Sequence, residues 1–161
     1  MSKLTHFNEQ GHVHMVDVSE KKISSRWAKA SCEVVMLPST LIQIKENKVS
    51  KGNVIEVARL AGIMATKRTS DIIPLCHPLR IDAAEIDFEF LSDTTIKVSS
   101  TVRATDRTGV EMEALIAVSA AGLVVYDMCK SVDRAMQINK IQLEEKSGGK
   151  SGDFRRGKSP I

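Results

Sequence analysis

The sequence predicts an α+β domain of the ferredoxin-like kind, a split β-α-β arrangement in which an antiparallel sheet packs against helices. Three observations carry this. Two adjacent stretches alternate apolar and polar residues on either side of Ser92, Asp93 and Thr94, the pattern of a half-buried hairpin. A third alternating stretch occupies 28–36, and a fourth apolar pattern lies near 138–143. Two longer segments with helical spacing separate the strands. Setting one short helix aside, the order is β-α-β-β-α-β.

Each element has a local reason. Ala28, Ala30, Cys32, Val34 and Met36 fall on even positions, as one face of a strand does. Pro38, Ser39 and Thr40 then start a short helix that runs to about Lys45. Asn53 with Glu56 reads as a capping box. It opens a helix through Lys67 with Val54, Val57, Ala58, Ala61 and Ala65 on one face. Ala84, Ile86, Phe88 and Phe90 alternate with Glu85, Asp87 and Glu89, and Ile96, Val98, Ser100 and Val102 answer them across the turn. Thr108 with Glu111 reads as a second capping box, and its helix is expected to reach about Asp133. Within it, 114–126 is apolar all round, so burial on most sides is expected. Ile138, Ile141 and Leu143 suggest a last strand with a register break.

At 161 residues and 17.7 kDa the chain has the size of one domain. That length buries a core without disulfides or a structural metal. The expected organisation is a flexible polar segment over 1–24, a single folded ferredoxin-like domain over 25–146, and a mobile Gly/Lys-rich tail over 147–161. The net charge of +3 lies in that tail, where Lys150, Arg155, Arg156 and Lys158 face only Asp153. The body is neutral, which argues against a nucleic-acid-binding face. Cys32, Cys76 and Cys129 are an odd number without Cys-x-x-Cys spacing, so no disulfide framework or zinc knuckle is expected. The first residues lack an apolar signal region, and the longest apolar stretch is shorter than the roughly 20 residues of a spanning helix. A cytoplasmic protein without membrane partners is expected.

Several residues could carry chemistry, and each has a plain alternative. Glu111 is accounted for by its capping box. Asp127 and Lys130 share a helix face, as a surface ion pair or as groups on a cavity wall. Lys51 and Gly52 precede a helix start, which suits an anion site or a solvated loop. Pro74 and Pro78 bracket Leu75, Cys76 and His77 in a segment stiffened for recognition or simply for connection. No four-ligand metal spacing joins Cys76, His77, His12 and His14. Gly149, Lys150 and Ser151 mimic the end of a Walker A loop, but position 144 is Glu where that motif needs Gly. A Gly-rich tail with a lysine can still fold over a polyphosphate. Together the chain offers cations (Lys51, Lys130, Lys150, Arg26), carboxylates (Glu111, Glu113, Asp127) and a histidine.

The longer motifs resemble a known family. His14 to Ser19 (HMVDVS), Lys67 to Thr69 running into Asp71 to Leu79 (DIIPLCHPL), Thr108 to Leu115 (TGVEMEAL), Tyr126 to Lys130 (YDMCK) and Lys146 to Asp153 (KSGGKSGD) are closely similar to the MoaC family of molybdenum-cofactor biosynthesis. The resemblance spans residues 5 to about 154. It implies a lyase that converts a cyclised dihydro-GTP to cyclic pyranopterin monophosphate and releases pyrophosphate. By position it implies Asp127, Lys51 and Lys130 as catalytic residues, and Leu75, Cys76, His77, Met112 and Glu113 as substrate-binding. Glu111, Arg26 and Lys150 join the substrate-binding set on the residue reading. The resemblance implies no cofactor, leaves Mg²⁺ with the triphosphate open, and implies a homohexamer, a trimer of dimers with sites at the dimer interface.

Two rival classes share the topology. A non-catalytic nucleotide-binding regulatory domain would need the cations but not Asp127. An RNA-binding domain would show exposed aromatics on its central strands, whereas Phe88 and Phe90 sit on the apolar face of theirs.

Overall fold

A computed structural model describes residues 6–8, 10–150 and 152–157. Residues 1–5 and 158–161, in the two segments expected to be mobile, lie outside the described residues, as do 9 and 151. The elements are β1 (Ser24–Val35), α1 (Pro38–Lys45), α2 (Val54–Thr66), the single turn α3 (Thr69–Ile72), β2 (Ile81–Phe90), β3 (Thr95–Asp106), α4 (Glu111–Cys129), β4 (Gln137–Ser147) and β5 (Phe154–Arg155). The strands form one antiparallel sheet in the order β2-β3-β1-β4-β5. The α+β, ferredoxin-like expectation holds.

β1 is the centre of the sheet and starts four residues earlier than its alternation suggested, because Ser24 pairs with Asp106. Ala28, Ala30, Cys32 and Val34 are completely buried against α4. These side chains are mostly small, so α4 lies close enough for the Cys32 thiol to donate to the Val118 carbonyl at 3.4 Å. β4 carries the expected register break, with shifts opposite Lys29/Ala30 and Ser31/Glu33 and a left-handed Lys140 (φ 50°). That bulge turns Ile138 and Leu143 to the core and leaves Ile141 exposed.

α4 is long and apolar enough to cross a membrane by length and composition. Here it is the core helix. Ala114, Ala117, Val118, Ala121 and Val125 are fully buried, but Leu123 is 60% exposed. The expected burial on most sides therefore holds for the faces toward the sheet and α2. It fails on the outer face.

Three sequence expectations need correction. α2 packs through Val54, Ala58, Gly62 and Thr66, while Val57 lies outward with Leu60 and Met64. Gly62 explains the choice, since a Cβ there would sit 3.1 Å from the Ala117 carbonyl oxygen. The helices approach along the ridge that contains it. The Asn53 capping box is half made: Asn53 Oδ1 accepts from the Glu56 amide at 3.1 Å, but the Glu56 carboxylate accepts from Arg59 Nε. Finally, α4 stops at Cys129, before Asp133. Asp133 is buried and accepts from the Leu37 amide (2.7 Å) and the Thr40 hydroxyl (3.3 Å), serving the start of α1 instead.

Candidate active site

The Thr108 capping box does not form. Val110 occupies the cap position without a side-chain bond, and Glu111 is the first residue of α4. Its carboxylate is thereby free to reach Lys146 Nζ at 2.9 Å. Two cavities meet at this helix end. They share Lys21, Thr108, Gly109 and Glu111 as a common wall.

The first, of about 430 Å³, gathers Leu75, Cys76, His77, Met112 and Glu113 from the Pro-bracketed loop and the first turn of α4. Val16, Val18 and His6 of the N-terminal segment close it. Asp17 in that segment has its carboxyl held below the usual range, mainly by hydrogen bonds from Ser19 and to a lesser degree by His77 nearby. Glu113 is 3% exposed. Burial, with some repulsion from Glu111, pushes its carboxyl up to about 7. The Cys76 thiol is also pushed up, by burial and then by Glu113. At neutral pH this cavity holds a carboxyl poised between its two protonation states.

The second cavity, of about 740 Å³, is cationic. Lys21, Lys22, Arg26, Arg107 and Lys150 line it against Glu20 and Glu111. Its position beside the N-terminus of α4 adds the positive end of the helix dipole. A polyanion fits here. The sequence reading found Arg26 and Lys150 but missed Lys21, Lys22 and Arg107. The adjacent lysines at 21 and 22, in an otherwise irregular segment, were the available signal.

Lys51, Asp127 and Lys130 form a third cluster. Lys51 Nζ meets Asp127 Oδ2 at 3.0 Å, and Lys130 Nζ meets Asp127 Oδ1 at 2.7 Å. Hydrogen bonds from Lys130 and then Lys51 hold the Asp127 carboxyl below its ordinary value. Asp127 in turn raises the Lys130 ammonium. The anion site read from Lys51-Gly52 takes a different form. Gly52 adopts a left-handed turn (φ 102°) and the Lys51 ammonium lies on Asp127. The three side chains are half-exposed.

This cluster lies at the far end of α4 from the two cavities. Fifteen residues separate Met112 from Asp127, which is about 22 Å along a helix. The chain therefore places its candidate residues in two groups and does not bring them together. Among the described residues, no group of three His, Cys, Asp or Glu side chains is placed to hold a metal ion.

The MoaC family model matches residues 15–149, most of the chain and all of the residues that line these cavities and the lysine–aspartate cluster except His6 and Lys150. The chain belongs to the MoaC family. Relatives named cyclic pyranopterin monophosphate synthase agree with this. The protein from Brevibacillus brevis is 53% identical over 155 residues, covering 96% of this chain and 97% of its own. Synthase 1 of Mycobacterium tuberculosis is 54% identical over 158 residues, covering 98% and 93%. Synthase 3 of the same organism is 55% identical over 153 residues, covering 95% and 86%. As a MoaC protein the chain carries its family motifs at the two ends of α4, and the intervening apolar helix is the scaffold that keeps them apart.

Proposed function

We propose that this chain is a cyclic pyranopterin monophosphate synthase, a lyase that converts a cyclised dihydro-GTP to the cyclic pyranopterin monophosphate and releases pyrophosphate early in molybdenum-cofactor biosynthesis. The observation that carries the reading is the joined pair of cavities. One is lined by a buried carboxyl poised near neutrality, the other by five cations. A guanine-derived ring with a triphosphate has that same division between a hydrogen-bonding head and an anionic tail. The cations of Arg26, Lys150 and their neighbours meet the charge that develops as pyrophosphate leaves. Leu75, Cys76, His77, Met112, Glu113 and Glu111 hold the ring.

Opening and reclosing a ring needs proton transfers from positioned groups. Lys51 and Lys130 supply ammonium donors held in place by the ionised Asp127. The separation along α4 supports a site completed between protomers, with Asp127, Lys51 and Lys130 of one facing the cavities of another. The exposed apolar row of Val57, Leu60 and Met64 on α2, with Leu123 on α4, supports a homo-oligomer, and the resemblance to the family supplies its expected form, a hexamer of three dimers. No resident cofactor is assigned to either cavity, and Mg²⁺ is compatible with arrival on the triphosphate.

Purified protein is incubated with the cyclised dihydro-GTP, with and without Mg²⁺, and pyrophosphate and the pterin product are followed. Wild type turns over, and Asp127→Asn binds without turnover. Binding without turnover by folded wild type would instead favour a nucleotide-binding regulatory domain.

A further inference from the structure

The glycine-rich segment after β4 is built around one guanidinium. Arg26 is 9% exposed, and two of its nitrogens are committed to main-chain carbonyls. Nε donates to Asp106 at 3.0 Å and Nη2 to Arg107 at 3.2 Å. These bonds fix the plane of the group on the wall of the cationic cavity.

The other flank of Arg26 is covered by backbone. Gly148 and Gly149 both have positive φ, 99° and 84°. A Cβ at Gly148 would lie 2.5 Å from the Ser25 carbonyl oxygen, and one at Gly149 would lie 2.9 Å from Arg26 Cζ. Gly148 needs glycine twice, for its dihedral and for its approach to backbone, whereas Gly149 needs it for its dihedral, and a side chain there would push the Arg26 guanidinium from its place. The segment is also tied at its base. Ser147 Oγ donates to Asp153 Oδ1 at 2.6 Å, Lys146 pairs with Phe154, and the Arg156 amide donates to the Glu144 carbonyl at 2.8 Å. Lys150, at the tip, lines the same cavity.

We propose that residues 148–150, tied down by 152 and 153, form a clasp that fixes Arg26 for the phosphate end of the substrate, with Gly149 and Asp153 as positioning residues. Gly149 excludes other rotamers of Arg26 by contact, and Asp153 holds the clasp closed through Ser147. The inference deepens the reading of the cationic cavity given above and rests on it.

The test uses the full-length protein, with inorganic pyrophosphate titrated by calorimetry and KM and kcat measured on the cyclised dihydro-GTP. Gly149→Ala raises the pyrophosphate Kd and the KM about tenfold and lowers kcat in the same direction as loss of Arg26. Arg26→Ala raises both as well and also lowers kcat, because its charge meets the leaving pyrophosphate, and the double variant is no weaker than Arg26→Ala, because both changes act through one guanidinium. Asp153→Asn retains the accepting oxygen and behaves as wild type, whereas Asp153→Ala follows Gly149→Ala. Wild-type affinity in Gly149→Ala, or losses that multiply in the double variant, overturns the clasp. Turnover by wild type with an unchanged KM in Arg26→Ala overturns the clasp and leaves the synthase reading intact. The coupled loss of pyrophosphate affinity in a protein that forms no product supports the clasp and removes the synthase reading.

Discussion

Lys51 Nζ is bonded to both the main-chain carbonyl (2.7 Å) and the carboxylate (3.0 Å) of Asp127, 76 positions away in sequence. The contact ties the loop before α2 to the last turn of α4. With Lys130 on the other carboxylate oxygen, it presents two ammonium groups around one fixed anion. The arrangement is half-exposed in the protomer, so its purpose is not to hold the core together.

Replacing Lys51 therefore separates activity from stability. Lys51→Met lowers turnover by about 100-fold or more, in the range of a lost acid-base group, and leaves the thermal midpoint unchanged. A midpoint that falls in step with activity would show that the pair is structural. Asp127→Asn keeps the shape and removes the charge that holds both lysines, although Lys51 retains the main-chain carbonyl, and the same separation is expected.

Glu113 makes stability depend on pH. Its folded-state value of about 7 is raised above the ordinary carboxyl value of 4.5, so the folded protein binds the proton more tightly than the unfolded chain. Its contribution is complete below about pH 4.5 and is lost as pH rises through 7. Relative to wild type, Glu113→Gln gains stability across that window, by up to about 3 kcal/mol, and levels off above it. Urea titrations of both proteins from pH 4 to 8 give the difference. A constant offset would mean that Glu113 titrates normally.

Asp133 is worth a similar amount for a different reason. Its carboxylate serves the Leu37 amide and Thr40 hydroxyl, and its other oxygen accepts from Ala135. Asp133→Ala leaves these donors without partners and costs about 2 kcal/mol in chemical denaturation. Asp133→Asn keeps one accepting oxygen, enough for the Leu37 and Thr40 donors but not also for Ala135, and loses less. Equal losses in the two variants would point to charge rather than to the hydrogen bonds.

The outer face of α2 predicts assembly. Leu60 and Met64 are 59% and 58% exposed, one helical turn apart. Leu60→Glu in the proposed oligomer places a charge in a buried contact, so sedimentation shifts to smaller species and turnover falls with it. A monomeric wild type, or a Leu60→Glu variant that stays assembled and active, would remove this face from the interface.

The secondary structure was largely legible because it is written in short-range periods. The even positions of 28–34, the hairpin about Ser92–Thr94 and the stop at Lys45 all depend on neighbours within a few residues. The misreadings came where a distant group supplied the deciding contact. Thr108 and Glu111 have capping-box spacing, but Lys146 on β4 offers the carboxylate a charged partner. Asp133 could extend α4, but two donors at the start of α1 draw it out of the helix. Val57 and Ala58 are equally apolar in pattern, and only the close approach at Gly62 selects the second.

The sequence by itself determined the α+β order, the register break in the last long strand and the family motifs with their candidate residues, since each is carried by residue type and local spacing. The tertiary structure decided how those motifs are grouped. It joined Arg26 to Gly149 and Lys51 to Asp127 across the whole chain, and it separated Met112 from Asp127 by the length of a helix. A period of 3.6 or 2 fixes which face a side chain occupies, but distance in space depends on how the faces pack. That is why the residue pattern that named the candidates could not divide them into two separate groups.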